Sequence, residues 1–186
     1  MKLNKKGANG KILNEKKLYQ GPIFDLVQQK IKTPDNLTVD RDLIRHAPAV
    51  NILAISSNHQ VILNQEYRVG VNQEVIALPA GLIDNGETAI EAAQRELQEE
   101  TGYQAKKVKI MSTLTSSDGF TTEKVSLALV KFDPQNRGKH HFDYDEFITN
   151  DLVPFSEVLK MVKDGRIFSA HSVASILYFN NFERDF

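Results

Sequence analysis

The stretch from Gly81 to Tyr103 constrains this chain most, because it specifies a helix, both of its ends and the face it must bury. Thr88-Ala89-Ile90-Glu91 has the pattern of a capping box, in which the threonine hydroxyl and the glutamate carboxylate satisfy end amides reciprocally. Gly102 is the natural stop, since glycine takes the left-handed conformation that ends helices. A helix is therefore expected over Ala89–Thr101. On a wheel of roughly 100° per residue, Ile90, Ala93 and Leu97 share one face, which should pack on a sheet. Gln94, Gln98 and Glu91 fall on the solvated side. Glu96, Glu99 and Glu100 occupy an arc between the two, adjoining the apolar face.

Like charges four residues apart, as at Glu96 and Glu100, destabilise a helix by about 0.2–0.5 kcal/mol. A divalent cation removes that repulsion. Magnesium takes hard oxygen ligands and keeps its waters, so a glutamate cluster suits it where a His/Cys set does not; manganese is the alternative ion. A Glu-rich helix is ordinarily only a solvated helix, and the full spacing separates this segment from that background. Gly81 is followed by five residues and Glu87, then by seven residues and Arg95-Glu96-Leu97, with Glu99-Glu100, Gly102 and Tyr103 completing the run. At average residue usage such a pattern arises by chance on the order of once in ten million chains of this length.

Elsewhere the chain reads as strands in runs with a few helices. Short strands are expected at Lys16–Tyr19, Phe24–Lys32 and Thr38–Arg45, the last two joined by Thr33-Pro34-Asp35-Asn36, residues that favour turns. Region 1–46 is too thin in apolar residues to close a core, so it should pack on the rest of the chain or on a second copy. Region 47–186 forms the main domain. Its expected strands are Ala49–Ile55, Val61–Asn64, Val75–Leu78, Val108–Leu114 and Lys124–Phe132, with a loop after Pro79-Ala80-Gly81 and helices at Phe155–Val162 and Ser169–Phe179. Strands in runs, without strict βαβ alternation, give an α+β fold: a mixed sheet with helices packed on it.

Composition narrows the function classes. The net charge of −1 argues against a protein built to hold nucleic acid. The absence of cysteine excludes a disulfide scaffold and a thiolate metal site, and fits a reducing compartment. No signal peptide or membrane helix is visible, so a cytoplasmic protein with no membrane partner is expected.

The Gly81–Tyr103 spacing resembles the signature of the Nudix hydrolases at every defined position. Further segments fall in order: Gln65-Glu66-Tyr67-Arg68, Leu78-Pro79-Ala80-Gly81-Leu82-Ile83-Asp84, Gly119-Phe120-Thr121-Thr122-Glu123, Asp145-Glu146-Phe147-Ile148 and Lys163-Asp164-Gly165-Arg166-Ile167. Together they look like the ADP-ribose pyrophosphatase branch, over roughly residues 16 to 180. The resemblance implies an α/β/α sandwich around a mixed sheet, with a small N-terminal strand region that dimerises. It also implies metal-dependent cleavage of a nucleoside-diphosphate compound, foremost ADP-ribose to AMP and ribose 5-phosphate.

Carried onto this sequence, the resemblance makes Glu96, Glu99, Glu100 and the carbonyl of Ala80 the metal ligands. Arg95 becomes an orienting residue of the catalytic set, and Glu87 part of the site's frame or a plain loop carboxylate. Arg68 would contact substrate phosphate, to which its forked guanidinium is suited, and Glu123 would touch metal or substrate. The catalytic base would be Glu146, in the late segment His140-His141-Phe142-Asp143-Tyr144-Asp145-Glu146, with Glu99 the other candidate. Tyr144 stands where the branch often has a second glutamate, and His140 and His141 read as solvated loop residues. Two positions depart from the branch: Asp118 replaces a proline ahead of Gly-Phe, and Ile76-Ala77 lack the glutamate that precedes Leu-Pro-Ala-Gly. Both bear on substrate identity. The alternatives are hydrolysis of another nucleotide sugar or dinucleotide and, in a different class, a non-catalytic nucleotide sensor.

Overall fold

In the computed structural model, which describes residues 7–138 and 148–186, side-chain alternation along two apolar strands organises the fold. In β4 (Ala49–Ser56), Val50, Ile52 and Ala54 point to one face of the sheet, and Leu53 and Ile55 to the other. In β9 (Lys124–Arg137), Ala128, Val130 and Phe132 join the first set, while Leu127 and Leu129 join the second. Both faces are therefore buried, which is why these strands read as unbroken apolar runs. The two strands pair in parallel, Ala49 opposite Val125 through Ser56 opposite Phe132.

Around this pair stand β5 (Gln60–Arg68), β6 (Gln73–Ala77), β7 (Ala80–Leu82), β8 (Tyr103–Thr115) and β10 (Thr149–Pro154). The seven-stranded sheet runs β10-β5-β4-β9-β8, with β6 paired to β5 and β7 to β4, all antiparallel apart from β4 with β9. Helix α1 (Ala89–Thr101) covers the Val50–Ile52–Ala54 face. Helices α2 (Phe155–Lys163) and α3 (Ala170–Phe182) cover the other, through Val158, Met161, Ile176 and Phe179. The expected α/β/α sandwich is what forms.

Residues Pro48–Ser116 and Lys124–Phe186 make this sandwich one compact unit. The other unit comprises Met1–Ala47 with Ser117–Glu123. It carries a three-stranded antiparallel sheet of β1 (Lys11–Gln20), β2 (Phe24–Lys32) and β3 (Thr38–His46). The β2–β3 turn closes through Thr33, whose amide donates to Leu37 O (2.8 Å), with Asn36 at a positive φ of 68°. Ser117–Glu123 belongs with these strands because Ile44 N donates to Phe120 O (2.8 Å) and Thr122 N to Ile44 O (2.9 Å).

The structure differs from the sequence reading at several places. Strand β1 begins earlier, β8 and β9 are longer than their apolar cores, and β10 was not anticipated. The added segments are mixed in polarity and lack a sustained apolar alternation; they join the ladder through backbone hydrogen bonds, a contribution that hydrophobic patterning does not register. Ala80–Leu82, which lies outside every expected strand, is a short strand on β4. No helix among the described residues is long and apolar enough to cross a membrane.

Candidate active site

Both ends of α1 form as their residues dictate. Thr88 Oγ accepts from Glu91 N (3.3 Å), Thr88 N donates to the Glu91 carboxylate (2.8 Å), and Gly102 closes the helix at φ 76°. The face it buries differs from the wheel expectation. Ile90, placed on the packed face, is 43% exposed. The buried residues are Ala92, Ala93, Leu97, Glu100 and Thr101. The helix is rolled so that Glu96 and Glu100 turn inward, and two neighbours permit it. Gly81 on β7 presents no side chain to Glu96, and Asn64 on β5 offers Glu100 a hydrogen-bond donor.

Arg95 is the hub of the arrangement. Its Nε and Nη2 donate to the two oxygens of Glu87 (2.9 Å each), a bidentate pair. Its Nη1 donates to Glu96 (2.8 Å) and Glu99 (3.0 Å), and Nη2 also reaches Leu82 O (2.9 Å). The Arg95 hydrogen bond holds the Glu87 carboxyl below its ordinary value, against the opposing effect of partial burial. Glu87 in turn raises the guanidinium's affinity for its proton. A loop carboxylate, a short strand and the helix are thereby tied to one cation.

The direction of the Ala80 carbonyl follows from strand geometry. Ile52 N donates to Pro79 O (2.8 Å) and Ile83 N to Pro48 O (2.9 Å). Hydrogen-bonded and non-hydrogen-bonded pairs alternate in an antiparallel ladder, so Asn51–Ala80 and Ala49–Leu82 are the non-hydrogen-bonded pairs. The carbonyls of Ala80 and Leu82 therefore both point away from β4. Leu82 O is the one that Arg95 reaches, which puts Ala80 O on the α1 side as well. Between them, a Cβ on Gly81 would lie 1.9 Å from Glu96 Cδ. Only glycine allows this approach.

That contact makes a specific prediction. Because the obstructed atoms are the flexible end of Glu96, Gly81→Ala should change the melting temperature little but push the carboxylate aside. Turnover is expected to fall by roughly 10–100-fold, the usual consequence of displacing a metal ligand or its support. Measured side by side, a large loss of melting temperature with turnover retained would contradict this account.

The third carboxylate is held separately. Glu100, 4% exposed, accepts from Asn64 Nδ2 (2.9 Å). Its backbone carbonyl accepts from Asn150 Nδ2 (2.8 Å), and Thr101 O accepts from Arg137 Nε (3.0 Å). These side chains satisfy carbonyls at the end of α1, whose last turn has no basic residue of its own to offset the helix dipole. On the opposite face of the sheet, buried Asn51 accepts from Ser175 Oγ (2.6 Å), and Ser172 Oγ accepts from Leu78 N (3.0 Å). This pair of serines anchors the approach to β7.

Asn64, Asn150 and Arg137 were not singled out from the sequence. Asn64 ends an apolar strand, where asparagine reads as a turn residue. The available signal was parity, since Asn64 shares a strand face with Ile62, which packs under α1.

The other expected site residues lie as follows. Arg68, at the end of β5, is half exposed and paired with Glu66. Glu123 lies in the N-terminal unit, 3.5 Å from His46 Nδ1. Glu146, with the rest of 139–147, lies outside the described residues.

Among the described residues, no three carboxylate or imidazole side chains are gathered tightly enough to enclose an ion. Arg95 and Asn64 hold the carboxylates instead. The donors still fit a small hard cation: three glutamates within one helical turn and a half, an outward carbonyl, and no nitrogen or sulfur ligand. Asn64 Oδ1 is a buried polar atom without a hydrogen-bond partner beside them.

Comparison with known proteins places the chain in a family and gives a likeness of fold. A sequence model of the NUDIX domain matches residues 45–175. The chain is 28% identical over 173 residues to the ADP-ribose pyrophosphatase of Bacillus subtilis, covering 93% of this chain and 94% of that protein. It is 28% identical over 174 residues to the methanol dehydrogenase activator of Bacillus methanolicus, covering 91% and 94%. The crystal structure of an ADP compounds hydrolase superposes with a TM-score of 0.81 over 97% of both chains, at 22% identity, a likeness of fold.

Proposed function

The chain belongs to the NUDIX domain family, and on that premise we propose that this pyrophosphohydrolase cleaves ADP-ribose to AMP and ribose 5-phosphate using magnesium or manganese. The observation that carries the reading is the convergence of Glu87, Glu96 and Glu99 on one guanidinium, beside a glycine that lets Glu96 lie against the strand. A non-catalytic sensor has no use for this complete set. Glu96, Glu99, Glu100 and the Ala80 carbonyl would hold the cation. When bound, it would neutralise the pyrophosphate and keep attacking and leaving oxygens in line.

The protein groups supply the rest. Arg95 fixes Glu96 and Glu99 by hydrogen bonds, and Glu87 fixes Arg95. Arg68, exposed at its strand end, is suited to a phosphate oxygen of the substrate. A carboxylate, Glu146 before Glu99, takes a proton from the attacking water. One P–O bond of the pyrophosphate breaks, the hydroxyl joins one phosphorus, and the other phosphate leaves with the bridging oxygen.

The ADP-ribose assignment draws on the Bacillus subtilis relative, whose likeness spans nearly the whole of both chains. Asp118 and Ile76-Ala77 depart from the branch pattern, so ADP-ribose should be turned over without being uniquely preferred. The test is a panel of ADP-ribose beside other nucleotide sugars and dinucleotides with magnesium, read as free phosphate after phosphatase coupling. No hydrolysis of ADP-ribose at millimolar concentration removes the substrate assignment.

The same reading includes a homodimer in which residues 1–46 reach across to the partner. All of β1 is exposed, including Ile12, Leu13, Leu18 and Tyr19. A strand so bare is a pairing hazard unless a partner covers it. An obligate interface would bury more than roughly 2,000 Å². Light scattering at micromolar concentration should give twice the chain mass; a monomer there ends the proposal.

A further inference from the structure

Asn64 is buried on a strand whose neighbouring core positions are apolar: Val61, Ile62 and Leu63. It is 2% exposed, and its Nδ2 donates to Glu100 Oε2 at 2.9 Å. The amino end of the amide therefore meets the Glu100 carboxylate, and the carbonyl end faces elsewhere. That other atom, Oδ1, is buried without a partner. An unsatisfied buried acceptor costs stability, and an apolar side chain of similar volume would fill the position without that cost.

The strand register shows that Glu100 is gripped from two sides. Asn64 on β5 stands directly opposite Asn150 on β10, on the face under α1. Asn64 takes the Glu100 side chain, and Asn150 takes its backbone carbonyl. Two paired asparagines thus fix one residue of the carboxylate set in rotamer and in height. Arg95, which holds Glu96 and Glu99, provides the corresponding grip for the other two.

We propose that Asn64 is a positioning residue of the cation site: it sets the rotamer of Glu100 through Nδ2, and its Oδ1 accepts a hydrogen bond from a water carried by the bound ion. The inference rests on the reading that Glu100 helps hold a divalent cation. It explains why a costly amide occupies a core strand, since the acceptor left unmatched within the protein is matched when a hydrated ion is bound. Partners that orient metal ligands in this way govern affinity nearly as strongly as the ligands themselves.

The test uses the full chain and manganese alone, with calorimetric titration and melting temperature measured with and without the ion. Asn64→Leu removes both donor and acceptor, and should weaken manganese binding about 10–100-fold and shrink the manganese-induced rise in melting temperature. Asn64→Asp has the same volume, so it tests the proposal even if the leucine variant does not fold. It sets a second buried carboxylate against Glu100, and should lower the metal-free melting temperature while enlarging the manganese-induced rise beyond wild type. Such opposite shifts are not expected from a packing role. If the variants keep wild-type manganese affinity and the wild-type rise, Asn64 serves packing alone and the proposal is overturned. Glu100→Gln separates the two readings. If it loses manganese binding while the Asn64 variants do not, only this inference fails; if it binds as wild type does, the metal reading fails with it.

Discussion

Exchange of Glu100 for glutamine is expected to lower kcat on the order of 10³-fold, equivalent to the several kcal/mol that a correctly held cation contributes to the transition state. The fold should survive. Glutamine has nearly the same volume, and its carbonyl oxygen can still accept from Asn64, which now meets Glu100 at 2.9 Å. The exchange also removes a charge that is 4% exposed and lies four residues from Glu96. Relief of like-charge repulsion at that spacing should leave the metal-free melting temperature unchanged or raise it. Steady-state kinetics and thermal melting on one preparation check both halves. Full turnover by wild type in EDTA, or by the variant in magnesium, would end the metal assignment.

Glu146→Gln is expected to lower kcat roughly 10²–10⁴-fold with KM little changed, the share usually supplied by a general base. Glu99→Gln should behave differently. Glu99 lies on α1 with its carboxylate 3.0 Å from Arg95 Nη1, beside Glu96 on the same nitrogen. A carboxylate fixed in this way on a helix, and committed to a cation during turnover, is not free to swing onto the attacking water. Its loss should appear mainly as weaker metal binding, partly recovered by raised magnesium. Should Glu146→Gln turn over at the wild-type rate, the base assignment passes to Glu99. Both variants are best assayed with ADP-ribose beside a second nucleotide sugar, because a change confined to one substrate would indicate substrate positioning, not proton transfer.

The parts of the site legible in the sequence were those encoded by short-range chemistry. Thr88 and Glu91 fix the start of α1 because each satisfies the other's end amide within one turn. Gly102 fixes its end through a backbone conformation that other residues resist. The wheel was less reliable for orientation. It placed Ile90 inward by its chemistry, whereas the helix turns Glu100 inward. No property of α1 by itself predicts that roll. It depends on what faces the helix, namely a bare Gly81 and an asparagine amide 36 residues before Glu100 in sequence.

The sequence by itself determined the family, the length and caps of the central helix, and the two-faced apolar strands that make a sandwich. Each of these is written in local spacing or in alternation along one segment. Tertiary structure alone decided that Arg95 ties Glu87, Glu96 and Glu99 together, that the Ala80 carbonyl turns toward α1, and that Asn64 and Asn150 grip Glu100 from adjacent strands. The physical reason is range. A cap or an apolar stripe depends on residues a few positions apart, but a buried hydrogen bond to a carboxylate depends on strand register. Register sets which residue of one strand lies opposite which residue of another, and it is fixed only when the whole sheet forms.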